Sequence, residues 1–91
     1  MNWRIQHTRT FYKELARLPK TVRGRVEKLA FGNEIQKDPF LGGKVEKMVG
    51  YKTYYKIRVG DYRIGVQIER HHRTVKFMRV LHRKEIYRLF P

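Results

Sequence analysis

The stretch YYKIRVGDYRIGVQI, residues 54–68, decides the fold of this chain. Apolar and polar side chains alternate with period 2 on both sides of Gly60-Asp61, a pattern typical of two strands joined by a two-residue hairpin turn. If Val59 and Tyr62 flank the turn, the pairing of the two strands follows by counting outward. Every second residue of each strand then faces the same side of the sheet.

One side of this predicted hairpin is crowded with positive charge. The pairing puts Arg58 opposite Arg63, and Lys56 opposite Gly65. Like charges directly opposed on a sheet are destabilising, and a glycine beside them leaves room for another group to approach the backbone closely. We therefore expect an anion to bind this surface, and we predict that the anion is a phosphate group.

The composition predicts a single domain, residues 1–91, with an anionic partner. Ninety-one residues lie near the small end of what one hydrophobic core supports. The chain has 22 Lys and Arg against 8 Asp and Glu, which gives a net charge of +14. A charge this large predicts attraction to nucleic acid, to an acidic protein or to the surface of an anionic membrane.

Membrane insertion and secretion are not expected. No apolar run approaches the ~20 residues of a membrane-spanning helix, and the N-terminal residues lack the apolar core of a signal peptide. The sequence has no cysteine, which excludes disulfides and thiolate chemistry. We expect a cytoplasmic protein.

The N-terminal half predicts one strand and two helices. Asn2–Thr8 alternates as a strand, and apolar residues at helical spacing follow from Phe11 to Leu18. Pro19 disfavours helical geometry at the residue before it, so the first helix should end there. A second helix should then run from about Lys20 into the low thirties.

The C-terminal half adds strands to the hairpin. Val45–Val49 is predicted as a short edge strand or as part of a loop, and Thr74–Leu81 as a further strand that is apolar on both sides. Residues 82–87 should run from a strand end into a turn or short helix. The predicted fold is a two-layer α+β domain, in which the N-terminal strand and a helical hairpin accompany a mainly antiparallel sheet.

The sequence lacks the residue sets that are typical of metal-dependent nucleases. Its carboxylates do not cluster as two-metal catalysis requires. His71-His72 lie beside arginines, with no cysteine or acidic residue to complete a zinc site. We therefore expect no metal ion and no cofactor.

Cations and hydrogen-bonding groups can cleave RNA without such a set. A 2′-hydroxyl can attack its adjacent phosphate if the site removes its proton, stabilises the anionic transition state and protonates the departing 5′-oxygen. Arginine suits the second task, because its planar fork binds phosphate bidentately. Lys56, beside two arginines, is a candidate for the first, and a tyrosine or histidine for the third. A nucleic-acid-binding face without catalysis fits the same charges, and both interpretations stay open on this evidence.

Two segments resemble the RelE family of bacterial toxin endoribonucleases, within the wider RelE/ParE toxin superfamily. They are YKIRVGDYRI at residues 55–64 and VLHRKEIY at residues 80–87. The Leu18-Pro19 joint and the order of elements along the whole chain are similar as well. The resemblance implies a RelE-like fold and a small toxin that cleaves mRNA in the ribosomal A site. It also implies neutralisation by a co-encoded antitoxin, which the net charge of +14 predicts to be acidic.

The functional positions of that family match Lys56, Arg58, Arg63, Arg83 and Tyr87 of this sequence. Arg58 stands where some relatives carry lysine, and an arginine cannot serve as general base. The resemblance therefore leaves proton abstraction to Lys56 or His82. We predict catalytic roles for Lys56, Arg63, Arg83, Tyr87 and His82, and RNA binding by Arg58, Lys52 and Lys84. The alternatives are a ParE-type toxin that inhibits DNA gyrase without RNA cleavage, and a nucleic-acid-binding domain without catalysis.

Overall fold

The computed structural model describes residues 2–91, which form five strands and four α-helices. In chain order they are β1 (Arg4–His7), α1 (Arg9–Ala16), α2 (Lys20–Phe31), α3 (Glu34–Lys37), β2 (Val45–Lys47), β3 (Tyr54–Val59), β4 (Tyr62–Glu69), β5 (Thr74–His82) and α4 (Ile86–Leu89), with a 3₁₀ turn at Leu41–Gly43 before β2. The first strand is shorter than predicted, and the segment before β2 contains helical turns that the sequence pattern did not indicate.

The five strands make one sheet in the order β1-β5-β4-β3-β2. β1 runs parallel to β5, whereas every other pair of neighbours is antiparallel. The predicted α+β architecture with a mainly antiparallel sheet is therefore confirmed.

The central hairpin has the predicted register. Arg58 pairs with Arg63, and Lys56 pairs with Gly65. Gly60 in the turn adopts a left-handed φ of 58°, which a two-residue hairpin turn requires and which glycine adopts without steric cost. The two arginines and the lysine therefore share one face of the sheet, which we call the cation face.

The opposite face, which we call the helix face, packs against α1 and α2 and carries the main core. Fully buried side chains from the sheet and from the helices meet here: Phe11, Val26, Ile64, Val66, Val75 and Phe77. The helical hairpin is fixed locally at its start, where the Thr8 hydroxyl accepts a hydrogen bond from the Phe11 N–H at 3.0 Å and so caps α1.

A β-bulge in β5 explains why this strand is apolar on both sides. Val66 pairs with Phe77, but Gly65 pairs with Arg79, so Met78 is the extra residue. The bulge shifts the alternation by one position. Phe77 and Val80 therefore both point to the helix face although they are three residues apart, and both are buried.

The cation face is partly covered by the C-terminal segment. A small second cluster there consists of the buried residues Met48, Ile86 and Phe90, with Tyr54, Met78 and Leu81 packed against it. The short helix α4 supplies Ile86, so it is docked on the same side of the sheet as the positive charges.

Candidate active site

The turn of the hairpin holds both candidate arginines. The Arg63 Nη1 atom donates hydrogen bonds to the carbonyl oxygens of Gly60 and Tyr62, both at 2.8 Å. Arg83 lies in the turn after β5, and its backbone N–H donates to the Asp61 carbonyl at 2.7 Å. Its Nε atom is 3.9 Å from Asp61 Oδ1, in a pair that is exposed to solvent. One tight turn thus positions two guanidinium groups from distant parts of the chain.

Lys56 and Tyr87 form the second part of the site. The Lys56 Nζ atom lies 4.3 Å from the centre of the Tyr87 ring, which is a cation–π contact. Lys56 is half-buried, and Tyr87 in α4 is 65% exposed. The ammonium group and the phenol therefore meet on the cation face, where a large ligand can reach both.

The predicted RNA-binding residues are all exposed. Arg58 is exposed and also lines a groove of about 400 Å³ between α2 and β3, together with Arg25 and Lys28. Lys84 is exposed in the turn after β5, beside Arg83. Lys52 is exposed in the connection between β2 and β3, at the end of β3 far from the hairpin turn.

His82 does not join Lys56 and Tyr87. It pairs with Tyr62 in the sheet, and the two rings meet edge to face with 5.4 Å between their centres. Its Nδ1 atom accepts a hydrogen bond from the Lys84 N–H at 3.2 Å, which leaves Nε2 to carry the proton of the neutral ring. Because its neighbour Leu81 packs on the cation face, His82 points to the other side of the strand.

The space at Gly65 is filled by the protein itself. A Cβ atom on Gly65 would lie 2.7 Å from Cδ2 of Phe90. The expectation that this glycine leaves room for a ligand is therefore wrong. The glycine allows the Phe90 ring to lie flat against β4, with Tyr54 in edge contact at 5.5 Å between ring centres.

An ion pair that sequence analysis missed anchors this region. The Arg79 guanidinium binds the Glu14 carboxylate through Nε at 3.0 Å and through Nη2 at 2.6 Å. The hydrogen bond to Glu14 raises the pKa of Arg79 above its ordinary value, and partial burial opposes that change. The signal in the sequence was an arginine between the apolar residues Met78 and Val80, but its partner is 65 residues away.

Two further observations concern the described residues 2–91. No three His, Asp or Glu side chains in this range come close enough together to hold a metal ion. None of the helices in this range has the length and apolar character needed to cross a membrane.

The fold and the site together define a small basic α+β domain with a cationic hairpin under a C-terminal helix. Residues 5–87 match the family described as "ParE toxin of type II toxin-antitoxin system, parDE". The chain therefore belongs to this family of type II toxin–antitoxin toxins, within the RelE/ParE superfamily.

Within that family the chain is similar to proteins named RelE and RelG. It is 38% identical to Toxin RelE3 of Methanocaldococcus jannaschii, over 97% of this chain and 99% of the relative. It is 33% identical to Toxin RelG of Mycobacterium tuberculosis, again over 97% of this chain and 99% of the relative.

A solved structure agrees with this relationship. The chain is similar to one in the crystal structure of the RelB-RelE antitoxin-toxin complex from Methanococcus jannaschii, with a TM-score of 0.75 and 41% identity. The match covers 96% of this chain and 100% of the other. The predicted RelE-like fold is confirmed.

Proposed function

We propose that this toxin is a ribosome-dependent endoribonuclease that cleaves mRNA in the ribosomal A site. One observation carries the proposal: Lys56 contacts Tyr87 on the cation face, and the turn of the same hairpin contacts both Arg63 and Arg83. These are the group types that RNA cleavage by 2′-hydroxyl attack needs. The similarity to proteins named RelE supports the same activity.

In the proposed reaction, Lys56 takes the proton from the 2′-hydroxyl. The 2′-oxygen then forms a bond to phosphorus while the bond from phosphorus to the 5′-oxygen breaks. The departing 5′-oxygen receives the phenolic proton of Tyr87. Between turnovers, Tyr87 regains its proton and Lys56 loses its own by exchange with solvent. The product is a 2′,3′-cyclic phosphate.

Arg63 and Arg83 stabilise the extra negative charge of the transition state. The Arg63 guanidinium is held by two carbonyl oxygens of the hairpin turn, and the backbone of Arg83 is fixed at the same turn, which limits the reorganisation that the reaction requires. Tyr87 is favoured over His82 as the acid, because Tyr87 contacts Lys56 and His82 points to the other side of β5. His82 then orients the turn that carries Arg83, through its hydrogen bond to the Lys84 N–H.

The exposed cations Arg58, Lys52 and Lys84 bind RNA phosphates on either side of the cleavage point. Contacts of this kind position the RNA and make binding dependent on salt. Since the substrate is mRNA on the ribosome, we place the activity in the cytoplasm.

The proposed partner is an acidic antitoxin encoded with the toxin. The related chain from Methanococcus jannaschii was crystallised as an antitoxin–toxin complex, and a net charge of +14 suits an acidic protein. Attraction between opposite charges accelerates the association of the two proteins more than it slows their dissociation.

Cleavage of a translated mRNA by purified protein and ribosomes tests the proposal, with the chemistry of the RNA ends as the readout. We expect ends bearing a 2′,3′-cyclic phosphate or a 3′-phosphate. Arg63→Ala and Arg83→Ala should each lower the rate by about 10²–10³-fold, the usual effect of removing one transition-state donor. Lys13→Ala is the matched control, because it removes one exposed charge from α1.

Three results would contradict this function. Ends that carry a 3′-hydroxyl would exclude attack by the 2′-oxygen. Equal rates for Arg63→Ala and the parent protein would exclude the cation face as the site. DNA damage in the presence of gyrase, without RNA cleavage, would instead identify an inhibitor of gyrase.

A further inference from the structure

Arg79 lies in β5 just beyond the residues that pair with β1, and it connects three elements there. Its Nε and Nη2 atoms bind the Glu14 carboxylate of α1, and its Nη1 atom donates to the Leu89 carbonyl at the end of α4, at 3.2 Å. Glu14 in turn accepts a hydrogen bond from the Val80 N–H at 3.0 Å. The helical layer, the sheet and the C-terminal helix are thus joined through one guanidinium group.

The ion pair between Glu14 and Arg79 is mostly buried, so its geometry is well defined. The side chains of Glu14 and Arg79 are only 16% and 26% exposed. Glu14 is fixed from two sides, by the guanidinium group and by the Val80 N–H. Arginine can bind a carboxylate with two nitrogens and still donate a further hydrogen bond, whereas the single ammonium group of lysine has no planar fork.

The helix α4 depends on such external contacts. It has four residues, and an isolated helix of that length is unstable in water. Its last carbonyl groups have no partner within the helix, and a cation at this end is favourable. Arg79 provides both the hydrogen bond and the charge at Leu89, two residues after Tyr87.

We propose that Arg79, held by Glu14, is a positioning residue that fixes α4 so that Tyr87 stays on Lys56. Its contribution to RNA cleavage rests on the proposed function, while its effect on the Lys56–Tyr87 contact does not. Arg79 acts through the backbone of α4, by its hydrogen bond to the Leu89 carbonyl.

The test measures the Lys56–Tyr87 contact directly in solution. An aromatic ring shifts the NMR signals of a lysine methylene group that lies over it, so the Lys56 ε-CH₂ signal reports whether Tyr87 is in place. The signal is identified by its loss in Lys56→Arg, and Tyr87→Leu gives its position without the ring. Arg79→Gln is the test variant, and Arg88→Gln is the matched control, because Arg88 pairs with Glu85 at the surface.

We expect the Lys56 signal of Arg79→Gln to move most of the way to its position in Tyr87→Leu, while the indole signal of Trp3 stays unchanged. Arg88→Gln should leave both signals in place. Under single turnover, the cleavage rate of Arg79→Gln at saturating ribosomes should fall by about 10–100-fold, as expected for a displaced group. The ribosome concentration that gives half the maximal rate should stay the same.

An unshifted Lys56 signal in folded Arg79→Gln would overturn the proposal. If Arg79→Gln does not fold, Arg79→Lys decides by the same signal, because it keeps the charge beside Glu14 and lacks the fork that reaches Leu89 as well. If the parent protein does not cleave RNA, the proposed function fails, but the NMR comparison still decides whether Arg79 positions Tyr87.

Discussion

The two faces of the sheet differ in the number of buried side chains that pack against them. In the described part of the chain, the core on the helix face contains 15 buried residues, whereas the cluster on the cation face contains three. Neighbouring residues of one strand serve opposite faces: Ile57 is 3% exposed in the core, and Lys56 contacts Tyr87. We infer that the helix face contributes most of the global stability and that the cation face can carry exposed charge because it contributes less.

The largest expected effect comes from removing a large side chain from the helix face. Phe77→Ala deletes a fully buried ring beside Phe11. Such changes typically cost about 3–5 kcal/mol, which is much of the stability of a small domain. We expect the urea midpoint to fall steeply or the purified protein to be unfolded at 25 °C. A loss below about 1 kcal/mol would contradict this placement of the core, because it is far less than a buried ring usually contributes.

A smaller effect is expected on the cation face, where Gly65 and Phe90 are in contact. Gly65→Ala would put a methyl group 2.7 Å from the Phe90 ring, and overpacking of this kind costs about 1–3 kcal/mol. Phe90→Ala removes the obstacle, so Gly65→Ala should cost less in that background. Urea unfolding of the parent, both single variants and the double variant measures the coupling.

The size of this coupling energy tests whether the Phe90 ring contacts Gly65 in solution. Residues in contact show coupling energies of about 0.5–3 kcal/mol. If the costs of Gly65→Ala and Phe90→Ala simply add, the Phe90 ring does not rest on Gly65 in solution. The cation face would then be more open than the structure shows.

The sequence predicts the hairpin well and its surroundings poorly, for a physical reason. The register of Arg58 with Arg63 follows from a period of two and a two-residue turn, which are local properties. The ligand space expected at Gly65 is instead filled by Phe90, 25 residues later in the chain. Nothing in local alternation indicates which distant side chain will take up space beside a glycine.

The same limit applies to β5. Its two apolar sides made the inward face ambiguous, because a bulge at Met78 changes which residues point inward. The bulge also decides that His82 faces away from Lys56. The partners of Arg79 and Glu14 depend on the packing of α1 and α4 on this strand, so only the three-dimensional structure could identify them.

The smallest expected effect concerns the exposed pair on the hairpin turn. Asp61 and Arg83 are 3.9 Å apart, with side chains 67% and 58% exposed, and exposed pairs of this kind contribute about 0–1 kcal/mol. Asp61→Asn keeps the backbone carbonyl that binds the Arg83 N–H at 2.7 Å, and asparagine suits this turn as well as aspartate. We therefore expect the free energy of unfolding to change by less than about 0.5 kcal/mol, measured by urea unfolding at low and at high salt. A larger loss that disappears at high salt would mean that the side-chain pair, and not the backbone bond, holds Arg83 at the turn. In that case exposed charge would contribute to the stability of the cation face, and the contrast with the helix face would be smaller.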